Sequence, residues 1–220
     1  LSGEDLSYIS GGFAIIFNKV QNPKGAVVYL DGIEYRYEEG LKKRSQQIEM
    51  PFYVYADGRS LDNHYIPSGW MGDYGDIKID QNWEEGAYSG ESCIRIEYSG
   101  KGSQGARWAG IYWQYPAHNW GEEKKGYDLS KASRLRFWAR GEKGGERIEE
   151  FKVGGIRGRY PDSDSASIGP VILSKEWQEY TIDLRGKDLS HIIGGFCFAT
   201  NSRVNPEGIV FYLDEIRFEE

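Results

Sequence analysis

DLSHIIGGFCFATNSRVNPEGIVFYLDEIRFEE (188–220) closes the chain, and the reading of its two apolar runs decides the fold. GGFCFAT and IVFYLDEIRF are rich in aromatic and β-branched residues, and an Asn-Pro-Glu-Gly turn lies between them, which is the composition of two joined strands. The pattern also stands near the start, where DLSYISGGFAIIFNKVQNPKGAVVYLDGIEYRY (5–37) aligns without a gap, sharing DLS, GGF, NP-x-G and YLD-x-I. A lone hairpin is marginal in water, so each copy is expected to close a larger module. Residues 51–220 then form one complete module. Residues 38–50 are a polar linker, and residues 1–37 are the last hairpin of a preceding sister module. The apolar faces of that leading hairpin (Phe13, Ile15, Val27, Tyr29) need burial, so it is expected to be ordered by packing on the module, by edge pairing, or by self-association between chains.

Outward from the closing hairpin, the body is a succession of short runs suited to strands. These are FYVYAD (52–57), GDIKID (75–80), SCIRIEYS (92–99), AGIYWQYP (109–116), RLRFWARG (134–141), RIEEFKVGGI (147–156) and EYTIDL (179–184). Several alternate at period two, as in Ile94/Ile96 and Ile182/Leu184. Helical periodicity is weak. About nine antiparallel strands in one module predict an all-β, two-sheet sandwich of jelly-roll type.

Composition narrows the function classes. The chain carries 7 Trp, 16 Tyr and 9 Phe, so flat rings are available both for a core and for a stacking surface. The net charge is -7 and the basic residues are scattered, which argues against nucleic acid as a partner. No apolar stretch is long enough to enter a membrane. The chain opens without Met or a signal peptide, as expected of a segment of a larger secreted protein, and the expected location is extracellular or at the cell surface. Cys93 and Cys197 read either as a disulfide or as two small buried hydrophobes.

Three landmarks carry a family resemblance: the opening aromatic strand YVYADG ending in Asp57, the strand entry YSGESCIRIEY, and the terminal FYLDEIRF with Asp214. With YDLSKASRLRFWARG (127–141), these make the module resemble the galactose-binding-like jelly rolls that serve as carbohydrate-binding modules on bacterial glycanases. The resemblance implies polysaccharide or oligosaccharide as ligand, neighbouring domains of the same parent protein as further partners, and no catalysis. It also implies a structural calcium near the joined first and last strands, with Asp57, Asp214 and Glu91 as ligands. The alternative for Asp214 is that its carboxylate simply receives backbone N–H groups at a strand bulge.

A sugar ring presents axial C–H groups on one face and hydroxyls around its rim, so it asks for an aromatic face flanked by polar groups. Arg107 to Gly121 (RWAGIYWQYPAHNWG) concentrates this chemistry and supplies Trp113 and Trp120 as candidates. The Gly-rich stretch His64 to Asp76, read as a loop, supplies Trp70 and Tyr74, and the loop Ile156 to Ser167 supplies Arg159 and Tyr160. Trp138 shares a strand face with Arg136 and Arg140, opposite Leu135 and Phe137. If the rings are covered by protein, the competing function is a structural or interdomain protein contact. No P-loop, nucleotide fingerprint or nucleophile elbow marks an enzyme.

Overall fold

The computed structural model describes Ile48–Glu220, together with Ile15, Lys24, Val28 and Leu30. The chain separates into two units, Leu1–Gln47 and Ile48–Glu220. Apart from those four residues, the expected hairpin at 1–37 lies outside the described residues, as do all but the last three residues of the expected linker.

The second unit is built from β1 (Phe52–Tyr55), β2 (Ile66–Gly72), β3 (Ile77–Trp83), β4 (Cys93–Tyr98), β5 (Trp108–Gln114), β6 (Arg134–Gly141), β7 (Arg147–Ile148), β8 (Glu150–Gly154), β9 (Ser165–Ile168), β10 (Val171–Ile172), β11 (Gln178–Asp183), β12 (Gly194–Asn201) and β13 (Ile209–Glu219). Sheet A runs β11-β6-β13-β4-β3, with β1 also paired to β13, and sheet B runs β2-β5-β12-β8-β9. All the pairings are antiparallel. A small ladder of β7 and β10 lies beside them. The architecture is the expected all-β sandwich of jelly-roll type.

Strict alternation builds the core. Along β6, Leu135, Phe137 and Ala139 are fully buried, while Arg136, Trp138 and Arg140 face the outside of sheet A. Rings from the two sheets interlock between the layers. Phe137 of sheet A meets Phe151 and Phe196 of sheet B at centroid distances of 4.8 and 5.1 Å, and Phe211 meets Phe198 at 5.1 Å. Each such ring contributes about 1.5–3 kcal/mol by burial, so this aromatic seam holds the sheets together along with the aliphatic side chains of the same core.

Two segments differ from the sequence reading. The stretch 64–76 is not a plain loop, because Ile66–Gly72 forms β2 and only Tyr74–Asp76 turns as a single 3-10 helix. Pro67 and two glycines disguise it, and all are tolerated because β2 is an edge strand. Likewise Ser165–Ile168, inside a Ser- and Asp-rich run, forms the opposite edge strand β9. Cys93 and Cys197 are free, buried thiols on different sheets, and burial pushes the Cys93 thiol up to about 12.

Candidate functional site

Strand β5 divides the aromatic stretch between two environments. Ala109, Ile111 and Trp113 point into the core, whereas Trp108, Gly110, Tyr112 and Gln114 face the outside of sheet B. The structure thereby corrects the expectation for Trp113. Its side chain is completely buried, at 5.5 Å from the Phe196 ring and 6.3 Å from Phe198, and it cannot meet a ligand. The reason is Gln114, whose amide is fully buried on the other face. It accepts from the Ser68 hydroxyl (2.9 Å) and donates to the Asn119 carbonyl (2.9 Å), which sends its odd-numbered neighbours inward.

That same pair of bonds holds the loop after β5 against the outer face. Asn119 is buried, and its side-chain oxygen accepts the backbone N–H groups of Gly121, Glu122 and Glu123 at 3.0–3.1 Å. Its amide donates to the carbonyls of Glu123 and Lys125. His118 N donates to Ser68 Oγ at 2.9 Å. Trp120 is therefore carried on a rigid turn. It is 38% exposed, and among the described residues its ring neighbour is Tyr112, approached edge-on at 6.0 Å.

The loop following β8 packs beside this turn. Tyr160 N donates to Gly121 O at 2.8 Å, and a Cβ placed on Gly121 would meet the Arg157 carbonyl at 2.6 Å, so only glycine permits the approach. Asp162 fastens the loop from beneath by accepting N–H groups from Ile156, Ile193 and Gly194. The Arg159 guanidinium lies 5.5 Å over the Tyr160 ring. Trp120, Arg159 and Tyr160, read from separate stretches, thus belong to two interlocked loops at one end of sheet B.

Between that end and Trp108 the outer face is low. Trp108 is 40% exposed, and among the described residues neither a ring nor a guanidinium stacks on it. The floor beyond it is Gly110 and Ala199, paired across β5 and β12. A Cβ on Gly110 would strike the Phe198 carbonyl at 2.4 Å, so the floor stays flat. Met71, paired with Gly110, borders one side, and Glu150 and Lys152, 3.9 Å apart, border the other. Four residues of strand separate Trp108 from Tyr112, about 13 Å. Sequence reasoning passed over Trp108 although one signal marked it: Trp108 and Tyr112 have the same parity as polar Gln114.

The remaining candidates stand elsewhere. Trp70 is paired with Ile111, a core residue, so it lies on the inner side of edge strand β2 at the rim of the sandwich. Tyr74 is exposed on the 3-10 turn. Trp138 lies on the outside of sheet A, with Tyr88 stacked on it at 3.8 Å. Around it, Arg140 covers Tyr212 at 3.8 Å and Arg95 covers Trp83 at 4.8 Å. These rings give their faces to one another and to guanidinium groups.

Asp57, Asp214 and Glu91 were the candidate calcium ligands. β13 bulges between Asp214 and Arg217, and there Asp214 accepts N–H groups from Tyr88 (2.9 Å), Ser89 (3.1 Å) and Glu215 (2.8 Å). Asp57 accepts from Glu91 N (2.7 Å) and Ser92 Oγ (2.6 Å). Glu91 takes part through its backbone, not its carboxylate. N–H and O–H donors satisfy the Asp57 and Asp214 carboxylates as placed, and these bonds clip the 86–92 loop to the sheet. Among the described residues, no group of three or more His, Cys, Asp or Glu could hold a metal. Burial raises the Asp214 carboxyl to about 7, against the pull of its three N–H donors.

No protein-family model matches the sequence, and no curated protein matches it. Solved structures do share its fold. A family 30 carbohydrate-binding module superposes with a TM-score of 0.54 at 16% identity, over 77% of this chain and 87% of that one. The family 30 module of cellulosomal cellulase Cel9D-Cel44B of Clostridium thermocellum gives 0.54 at 15% identity, over 78% of this chain and 98% of that one. At such identities the likeness establishes the fold, a jelly-roll-like sandwich resembling bacterial carbohydrate-binding modules.

Proposed function

We propose that this chain is a non-catalytic module that holds a polysaccharide across the outer face of sheet B, as an accessory part of a larger extracellular protein. One observation carries the reading. Two tryptophans, Trp108 and Trp120, stand partly exposed at the two ends of a flat floor made of Gly110 and Ala199. Sugar rings laid along the floor would cover the indole faces with their C–H groups, and Glu150, Lys152 and the Arg159–Tyr160 loop would meet their hydroxyls. Because Asn119 and Asp162 fix the loops in advance, little ordering is required on binding. The similarity of fold to carbohydrate-binding modules supports the same reading.

No helix of the described residues is long and apolar enough to cross a membrane. Neighbouring domains of the same parent protein remain the expected protein partners, and self-association through residues 1–37 concerns residues outside those described. Calcium is not needed by the carboxylates named above, so a chelator is expected to leave both melting temperature and glycan affinity unchanged.

Calorimetric titration against soluble neutral polysaccharides tests the proposal. Saturable binding should weaken about tenfold or more, some 1.4 kcal/mol or above, in Trp108→Ala and in Trp120→Ala, with the fold intact by circular dichroism. If the folded protein binds no neutral or acidic polysaccharide, the function moves to a protein contact, for which the ringed outer face of sheet A is the natural surface.

A further inference from the structure

Beyond Trp108 the floor of sheet B opens into a trough of about 880 Å³, and its lining differs from the rest of the molecule. Lys101, Arg107 and Arg203 line it with Trp108, Asn201 and Ser202, and glycines and one alanine complete it. No carboxylate is among them, although the chain as a whole carries a charge of -7. Elsewhere Arg95, Arg134, Arg136, Arg147, Arg185 and Arg217 each lie against a Glu or Asp, while Arg140 and Arg159 lie over aromatic rings instead. Among the described residues, Lys101, Arg107 and Arg203 have no such partner.

The backbone beneath this trough is held deliberately. Arg107 adopts φ 63°, a left-handed conformation that costs energy in any residue with a side chain. Asp73, fully buried, enforces it by accepting N–H groups from Gln104 (2.8 Å), Ala106 (2.9 Å) and Arg107 (2.5 Å). Asp76 accepts Gly102 N at 2.6 Å, and the Arg107 carbonyl takes Ser202 N at 3.0 Å. The Asp73 carboxylate is turned toward these N–H groups and is thereby occupied. The result is an indole that shares one trough with Lys101 and Arg107 on the stapled loop and with Arg203 on the turn after β12.

We propose that the Trp108 end of the platform is a subsite for an anionic sugar residue, a uronic acid. This rests on the platform reading above and extends it. The pyranose ring of a uronate stacks on an indole as a neutral sugar does, and its carboxylate matches a guanidinium in shape and charge. A neutral glucan leaves all three cations without a counter-charge. Three scattered cations and one free ring are too small a footprint for nucleic acid.

The test uses the full chain and four probes: a neutral β-linked glucose oligosaccharide, the same oligosaccharide with one residue oxidised to the uronic acid, a sulfated counterpart, and a single-stranded oligonucleotide. At low ionic strength the uronate form should bind about tenfold more tightly than the neutral one, and this ratio should fall toward one in about 1 M salt, where charges are screened within a few ångströms. The ratio should also fall in Arg107→Asn, chosen because Asn tolerates the left-handed backbone. It should fall likewise in the double variant Lys101→Gln/Arg203→Gln, which leaves that backbone alone. Equal affinity for neutral and uronate probes overturns the subsite but leaves the platform standing. A gain confined to the sulfated probe, or preference for a single-stranded oligonucleotide, overturns the uronate assignment. If no saccharide binds at all, platform and subsite fall together.

Discussion

At the scale of single residues, two buried groups set measurable terms in stability. Trp113 fills the core, yet its indole N–H has no hydrogen-bond partner among the described residues. Leaving a buried donor unmet costs about 1–3 kcal/mol, so Trp113→Phe, which removes the N–H and keeps a ring against Phe196, should change the unfolding free energy by under about 1.5 kcal/mol. Trp113→Ala should cost about 3–5 kcal/mol. Urea denaturation of both variants checks this, and an equal loss in the two would mean the ring's fit matters less than its full volume. Asp214 adds a pH term. With its carboxyl raised to about 7 in the fold from an ordinary value of 3.8, the native state holds a proton that the unfolded chain has released. The stabilisation from that proton is fully present below 3.8 and is lost as pH rises through about 7. The melting-temperature gap between the protein and Asp214→Asn should therefore narrow between those limits, and a gap that stays constant would show the carboxylate to be ionised throughout.

At the scale of elements, the stapled loop of residues 99–107 is the part most dependent on one side chain. Replacing Asp73 by Ala removes three acceptor bonds at once. The expected cost is about 1–3 kcal/mol, with hydrogen exchange quickening at Gln104, Ala106 and Arg107 and glycan affinity at Trp108 falling with it. Unchanged exchange would mean the loop is held by its strands alone. The elements also show what a sequence can and cannot reveal. Strands with clean alternation, such as Leu135/Phe137/Ala139 against Arg136/Trp138/Arg140, were legible down to the face each residue takes. β5 was legible as a strand, but all of its later residues are apolar, aromatic or amide. Which parity turned inward depended on Ser68 and Asn119, far away in sequence or out in a loop. β2 and β9 were hidden because Pro, Gly and Ser are poor strand formers, and the Pro of β2 is tolerated because that strand lies at a sheet edge. The carboxylates were visible as candidates, but not their partners, since the partners are backbone N–H groups that any sequence supplies.

At the scale of the whole molecule, the sandwich presents two outer faces with opposite characters. Sheet B leaves indoles uncovered over a flat floor, and sheet A closes its rings beneath arginines and the Tyr88 loop. Arg140→Ala, on sheet A, should accordingly leave glycan affinity within about twofold while disturbing the packing of its guanidinium over Tyr212 and over Trp177, whose ring centroid is 5.3 Å away. A large loss in titration would move the ligand to that face. A last consequence follows from β1 lying antiparallel to the end of β13, with Phe52 opposite Phe218. The two ends of this unit emerge side by side, so a tether stretched between residue 48 and residue 220 loads the β1–β13 pairs one after another, as a zipper is opened. Held instead across the length of β13, from Gly208 to Glu220, the same fold would set its ladders in shear and share the load among them. Single-molecule pulling should find the first geometry yielding at the lower force. A module strung between an anchored glycan and a moving partner would then be mechanically weakest at its own seam of entry, and could peel and reseal there before the aromatic seam between the sheets is strained.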